Sequence, residues 1–219
     1  MTRLANTSPV RALKPARRGL TGKVILTSGK FAGHESSLER DWLLALDFDW
    51  RVKRVLEQPY TLNYLLDGKV RRYTPDILAD FEDGNARWTV VYEIKSDEDL
   101  RENWLVQRPR YKAAVHDCRL KGWRFRIVTE RHIRTPHVEN VRFLRRYRDL
   151  APQPLHQEAL LYTLSALGPT TPQALLAATW YDAERRMVAL CELWRLVALR
   201  QIGASLMEPL TMSSSIWKP

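Results

Sequence analysis

The chain has 219 residues, 45% hydrophobic and 27% charged, with a formal net charge of +10. Two cysteines, Cys118 and Cys191, lie too far apart for a zinc-finger pair and do not suggest a disulfide-stapled secreted scaffold. No apolar run approaches the roughly 20 residues that span a bilayer, and no apolar block follows the basic N-terminal residues as in a secretory signal, so a cytoplasmic protein is expected.

The charge is unevenly spread. Residues 1–34 hold seven basic residues and no acidic one. Residues 35–100 hold 15 acidic against nine basic, residues 101–150 hold 14 basic against five acidic, and 151–219 balance. A basic chain suits a polyanion, because neutralising phosphates releases counterions. Carboxylates concentrated inside such a chain need a reason of their own.

In chain order, residues 1–34 read as a basic N-terminal arm, punctuated by proline and glycine, with one strand-like stretch at 23–27. A helix follows over 37–46, with Ser36 as N-cap and Glu39 at N3 in a capping box. Leu38, Trp42 and Ala45 form its apolar stripe. Strands are expected at 52–56, 60–66, 71–81 and 88–94. The second and third are joined by the hairpin turn Asp67-Gly68, the third and fourth by the turn at 83–85. A helix over 110–120 ends at Gly122, a strand covers 124–129, and a short helix covers 138–147. Pro152 and Pro154 then mark a linker. Helical patterns at 155–167, 172–179 and 182–196, with strands at 197–202 and 207–212 as a small wing, make a winged-helix-like C-terminal module over 155–219. Residues 35–150 are left as one α/β domain.

The chemistry concentrates in residues 75–95. Pro75-Asp76 lies within the expected strand 71–81, and Glu93-Ile94-Lys95 ends the next. Glu93 and Lys95 are two apart and share a strand face. The turn at 83–85 folds the second strand back beside the first, so Asp76 can approach Glu93. Two carboxylates at the end of a hydrophobic strand are costly without a positive partner. Mg²⁺, a hard ion bound through one or two carboxylates, is the natural one. A lysine beside it can position water or offset charge on a phosphate. The competing account of Glu93 and Lys95 is a surface ion pair of little energetic worth; the preceding Val90-Val91 favours a buried strand end. Glu39 either caps its helix or, on the face of Leu43 and Leu46, joins the site; Glu35 is the rival carboxylate. Gln58 holds a site carboxylate, touches DNA, or is a loop amide. Arg71 and Arg72 face phosphates or solvate a strand edge. His34, His116, His132 and His137 have no zinc-ligand spacing.

These features resemble the PD-(D/E)xK nucleases of the restriction-endonuclease-like fold, and more closely the N-terminal domain of TnsA, the endonuclease subunit of Tn7-like transposons. The resemblance rests on Glu35-Ser-Ser-Leu-Glu39-Arg-Asp-Trp42, Glu57-Gln58-Pro59, Arg72-Tyr73-Thr74-Pro75-Asp76-Ile77 and Tyr92-Glu93-Ile94-Lys95, over about residues 30–130. It implies a mixed sheet flanked by helices, with catalytic roles for Glu39, Asp76, Glu93 and Lys95. Asp76, Glu93 and Glu39 would be ligands of Mg²⁺, for which Mn²⁺ would substitute, with Gln58 and Glu35 in support. It further implies a bacterial, metal-dependent DNA endonuclease that hydrolyses phosphodiesters at the 5′ ends of a transposon. The implied partners are double-stranded DNA, a DDE-class transposase subunit and an AAA+ ATPase regulator. The alternatives are another restriction-like nuclease, for defence or junction resolution, and a non-catalytic DNA-binding subunit of a transposition complex.

Overall fold

A computed structural model describes residues 22–219, and the chain divides into two compact units between Arg134 and Thr135. The first unit opens with a hairpin, β1 (Gly22–Ile25) and β2 (Phe31–His34), followed by α1 (Ser37–Phe48) and β3 (Val52–Glu57). A second hairpin, β4 (Leu62–Leu66) and β5 (Lys69–Tyr73), precedes β6 (Ile77–Asp83), β7 (Ala86–Ile94), α2 (Asp97–Leu120), β8 (Arg124–Val128) and the short α3 (Glu130–Ile133). The central sheet has the order β3-β6-β7-β8, with β3, β6 and β7 antiparallel and β8 parallel to β7. A parallel neighbour requires a crossover, and α2 supplies it. The unit is therefore α/β, a mixed sheet flanked by helices, as a restriction-endonuclease-like fold requires.

Strand alternation divides the core between the two faces of this sheet. Ile77, Ala79, Val90, Tyr92 and Ile94 pack with Leu43, Leu44 and Leu46 of α1 and with Val24, Leu26 and Ala32 of the first hairpin. Leu78 and Val91 point the other way, against Cys118 of α2. Beside them, Leu62 and Tyr73 of the second hairpin meet Tyr111 and Ala114 of α2.

Three local expectations are corrected. Of the basic arm read over 1–34, residues 1–21 lie outside the described residues. Residues 22–34 are a hairpin built into the core, and Asp47 of α1 holds its turn by accepting from the Thr27 N–H at 2.7 Å and hydroxyl at 2.8 Å. The strand read over 71–81 is two strands in different sheets, β5 and β6. Pro75 separates them: it has no N–H for a ladder and restricts Thr74. Finally, α2 begins at Asp97, well before the expected residue 110. Ser96 caps it by accepting the Asp99 N–H at 3.0 Å, Asp97, Glu98 and Asp99 suit its positive end, and Pro109 lies in its interior.

The second unit comprises α4 (Pro136–Arg148), α5 (Pro154–Leu167), α6 (Pro172–Thr179), α7 (Ala183–Ala198) and a two-residue strand pair, β9 (Gly203–Ala204) with β10 (Ile216–Trp217). The boundary read at 150–155 therefore falls earlier, and α4 belongs here. Phe143 meets Trp194 of α7 edge-on at 5.2 Å. The Asn140 amide donates to the carbonyls of Leu206 and Glu208 at 3.0 and 2.7 Å and accepts from the Leu210 N–H at 3.0 Å. Residues 197–202 and 207–212 are not the strands expected; the stripe of Leu193, Leu196 and Val197 carries α7 to Ala198. Among the described residues, no helix is long and apolar enough to cross a membrane.

The first hairpin yields a direct test. Val24 is 8% exposed in the core, so Val24→Asp should lower the unfolding free energy by about 3 kcal/mol in denaturant titration. In a mobile arm the same change would stay within about 0.5 kcal/mol.

Candidate active site

The break at Pro75 places Asp76 at the mouth of the central sheet. Its carbonyl accepts the Gln58 N–H at 2.7 Å, where β3 ends, and its own N–H donates to the Tyr92 carbonyl on β7 at 3.2 Å. The backbone is thus held from both sides, and the carboxylate turns along β7 to accept the Ile94 N–H at 2.7 Å. Asp76 and Glu93 come together as expected, from the end of a strand break rather than from mid-strand.

Glu93 projects on the α2 side of β7, with 3% of its side chain exposed. One oxygen accepts the Tyr73 hydroxyl at 2.5 Å. The other lies 3.3 Å from the Lys95 ammonium and 3.2 Å from the Arg110 guanidinium. Lys95 follows the end of β7, its N–H bonded to the Val128 carbonyl of β8 at 3.1 Å. The expected same-face pair of Glu93 and Lys95 is present, as part of a buried cluster.

The residues that the resemblance assigned to the site, Glu35, Glu39, Gln58, Asp76, Glu93 and Lys95, line one cavity of about 480 Å³. The two helix-entry glutamates have distinct settings. Glu39 accepts the Glu35 N–H at 2.7 Å and the Ser36 hydroxyl at 3.2 Å, while its own N–H donates to Ser36 Oγ at 3.1 Å. The carboxylate therefore caps one residue earlier than a standard capping box. Glu35 accepts the Gln58 side-chain amide at 3.2 Å. Gln58 is buried with a positive φ of 41°, uncommon for a residue with a side chain. Its role as holder of a site carboxylate falls on Glu35. His34 does not line the cavity; it packs over Gly22, where a Cβ would stand 2.9 Å from its Nε2.

Sequence reasoning found Lys95 but missed the other partners of Glu93. Tyr73 lay inside a quoted motif with nothing to mark its hydroxyl. Arg110 sits one residue past Pro109, and only the unbroken α2 brings it to β7.

Burial, followed by repulsion from Glu93 and Glu39, pushes the Asp76 carboxyl well above the usual aspartate range, with Lys95 offsetting part of the shift. Burial also raises Glu39. Burial alone would pull Lys95 down, but the Asp76 and Glu93 carboxylates more than offset it, so the amine is held firmly protonated. Lys95 is accordingly a fixed cation at neutral pH.

Among the described residues, no three His, Cys, Asp or Glu side chains are grouped tightly enough to hold an ion as they stand. Glu39, the third ligand implied by the resemblance, turns its oxygens to the start of its own helix. Asp76 and Glu93 remain a pair of hard oxygen donors whose mutual repulsion favours an added cation. This donor set fits a Mg²⁺-type ion, which is commonly bound by one or two carboxylates with water and substrate completing the shell.

The raised Asp76 carboxyl has a consequence for metal-free protein. Above the ordinary aspartate value of about 3.9, the unfolded chain has released a proton that the folded chain keeps. Stability therefore falls as pH rises from there through the folded value. Lys95 stays charged over this window and adds no slope. Thermal unfolding in chelator should show this decline for the native protein and a flatter profile for Asp76→Asn.

No curated protein matches the chain. Residues 49–130 match the family model described as TnsA-like endonuclease N terminal. Glu35 and Glu39 precede the matched segment, while Gln58, Asp76, Glu93, Lys95 and Arg110 lie within it. The part of the chain that builds the buried acidic pair and its lysine is thus similar to the TnsA-like endonucleases, which supports a TnsA-like nuclease.

Proposed function

We propose that this protein is a metal-dependent DNA endonuclease subunit of a Tn7-like transposase, cutting at the 5′ ends of the element to leave 5′-phosphate and 3′-hydroxyl. The observation that carries this reading is the convergence of Asp76, Glu93 and Lys95 on one cavity inside the segment similar to the TnsA-like endonucleases. Asp76 and Glu93 would hold Mg²⁺, with Mn²⁺ as a substitute and Glu39 joining only if its carboxylate leaves the helix end. When bound, such an ion makes water acidic and shields phosphate oxygens.

The chain's own residues have separate tasks in this reading. Tyr73 and Arg110 fix the Glu93 carboxylate from two sides, so it is oriented before substrate arrives. Lys95, 24% exposed and reaching the cavity, offsets negative charge that grows on the phosphate as the bond to water forms. Arg72, exposed on the cavity wall, neutralises a neighbouring phosphate. The basic residues of α2, notably Arg108, Lys112 and Arg119, add sequence-independent affinity. A DDE-class transposase would cut the 3′ ends, and the helical second unit would engage an AAA+ regulator, all within the cytoplasm of a bacterium.

Cleavage at transposon 5′ ends, with Mg²⁺ and the partner transposase present, tests the reading. Asp76→Ala should abolish cutting. Lys95→Ala should lower the rate by about 10²-fold or more. Glu39→Ala should impair cutting more than Glu35→Ala, with melting temperatures read alongside because a lost cap costs about 1 kcal/mol. Normal cutting by either the Asp76 or the Lys95 variant would end the nuclease reading.

A further inference from the structure

The β4–β5 hairpin stands apart from the central sheet, and its two faces differ. The register pairs Leu62 with Tyr73, Asn63 with Arg72, Tyr64 with Arg71 and Leu65 with Val70. Alternation then puts Leu62, Tyr64 and Tyr73 on one face, which packs against α2. The opposite face carries Asn63, Leu65, Val70 and Arg72, all exposed, with Leu65 at 75% and Val70 at 68%. At the base of the hairpin the same face continues into Thr61 and Thr74, whose hydroxyls lie 2.7 Å apart. Thr61, Thr74 and Arg72 all line the cavity that holds Asp76, Glu93 and Lys95.

One surface therefore runs without interruption from the catalytic cavity to the hairpin tip: two hydroxyls, then an amide beside a guanidinium, then two aliphatic side chains. The aliphatic pair is mostly exposed, so core packing does not account for it. Of the hairpin's three cations, the register puts Arg72 on this outer face next to the cavity and Lys69 and Arg71 on the opposite face, and its one carboxylate, Asp67, is at the turn.

We infer that this outer face lies along duplex DNA and seats the substrate next to the scissile phosphate; the inference rests on the nuclease reading above. The Arg72 guanidinium and the continuity with the cavity favour DNA over a protein partner. A two-stranded ribbon fits the major groove, and its five-residue arms extend about 17 Å, roughly five base-pair steps. Arg72 and Asn63 donate to phosphates flanking the cut, while Leu65 and Val70 meet apolar groove surface, the thymine methyls and deoxyribose faces.

The test uses the full chain, without divalent metal, on a duplex of about 20 base pairs, two helical turns, with fluorescence anisotropy read across a salt series. Arg72→Ala should weaken binding about tenfold and reduce the log–log salt slope by about 0.9. The double variant Leu65→Ser/Val70→Ser should weaken binding several-fold with the slope unchanged and no loss of melting temperature, since both side chains are exposed. A photocrosslinker on Leu65→Cys, in a Cys191→Ser background that leaves only the buried Cys118, should label DNA within about five base pairs of the cut. Native affinity and slope in these variants, with no DNA crosslink from a protein that still binds and cuts, would overturn the inference and leave the nuclease reading standing. Crosslinks to a second copy of the chain alone would give the face to self-association and overturn it likewise. A native protein that neither binds nor cuts DNA would overturn both.

Discussion

Glu93 is a carboxylate with almost no exposure, and the first unit is arranged around compensating it. An isolated buried charge costs several kcal/mol, and breaking one arm of a buried ion pair costs about 3–5 kcal/mol. The groups that meet it arrive from three places: Tyr73 from the second hairpin, Arg110 and, at 3.5 Å, the Tyr111 hydroxyl from α2, and Lys95 from the exit of β7. The seating of the hairpin on α2, through Tyr73 against Tyr111 at 6.2 Å, is thus coupled to the charge balance at the sheet's end. Arg110 also lies over both of these rings, 5.4 and 5.0 Å from their centroids, so its guanidinium is itself held in place by aromatic faces.

Compensation stops at Glu93. Asp76, a short way along the same sheet edge, has a backbone N–H from Ile94 and the field of Lys95, and its carboxyl still lies well above the ordinary range. A fold selected for stability alone would favour an apolar residue here. In the proposed reading, an under-neutralised acid beside a satisfied one is where a cation would bind and a phosphate would follow it. That asymmetry underlies the proposed chemistry. It also explains why Lys95 serves as a cation in that proposal: both carboxylates hold its proton on.

The second unit shows the same economy of buried charge in a structural setting. Glu192 and Arg195, one turn apart on α7, form a buried bidentate pair at 2.7 and 2.9 Å. Gln157 of α5 accepts a further Arg195 N–H at 2.9 Å, and Glu192 accepts the Gln153 N–H at 3.3 Å, so the pair ties α7 to the start of α5. Taking α4 into this unit also transfers Arg142, Arg145, Arg146 and Arg148 to it. The 14 basic residues counted over 101–150 are therefore divided between the two units.

Much of this was legible in the sequence because it is written at short range. Strand parity put Glu93 and Lys95 on one face, Asp67-Gly68 fixed a hairpin through two adjacent positive φ values of 50° and 71°, and Ser36 marked a helix start. The identities of Asp76, Glu93 and Lys95, their adjacency across a turn, and their need for positive charge follow from local geometry and the cost of burying carboxylates. The tertiary structure decided what depends on residues far apart in the chain. It built residues 22–34 into the core, carried α2 through Pro109, moved α4 to the second unit, and chose Tyr73 and Arg110 as partners of Glu93. It also turned Glu39 toward its own helix end and gave Glu35 to Gln58. The reason is the range of the forces involved: periodicity and turn chemistry act over a few residues, whereas a buried charge is neutralised by whatever the packing brings within about 3 Å.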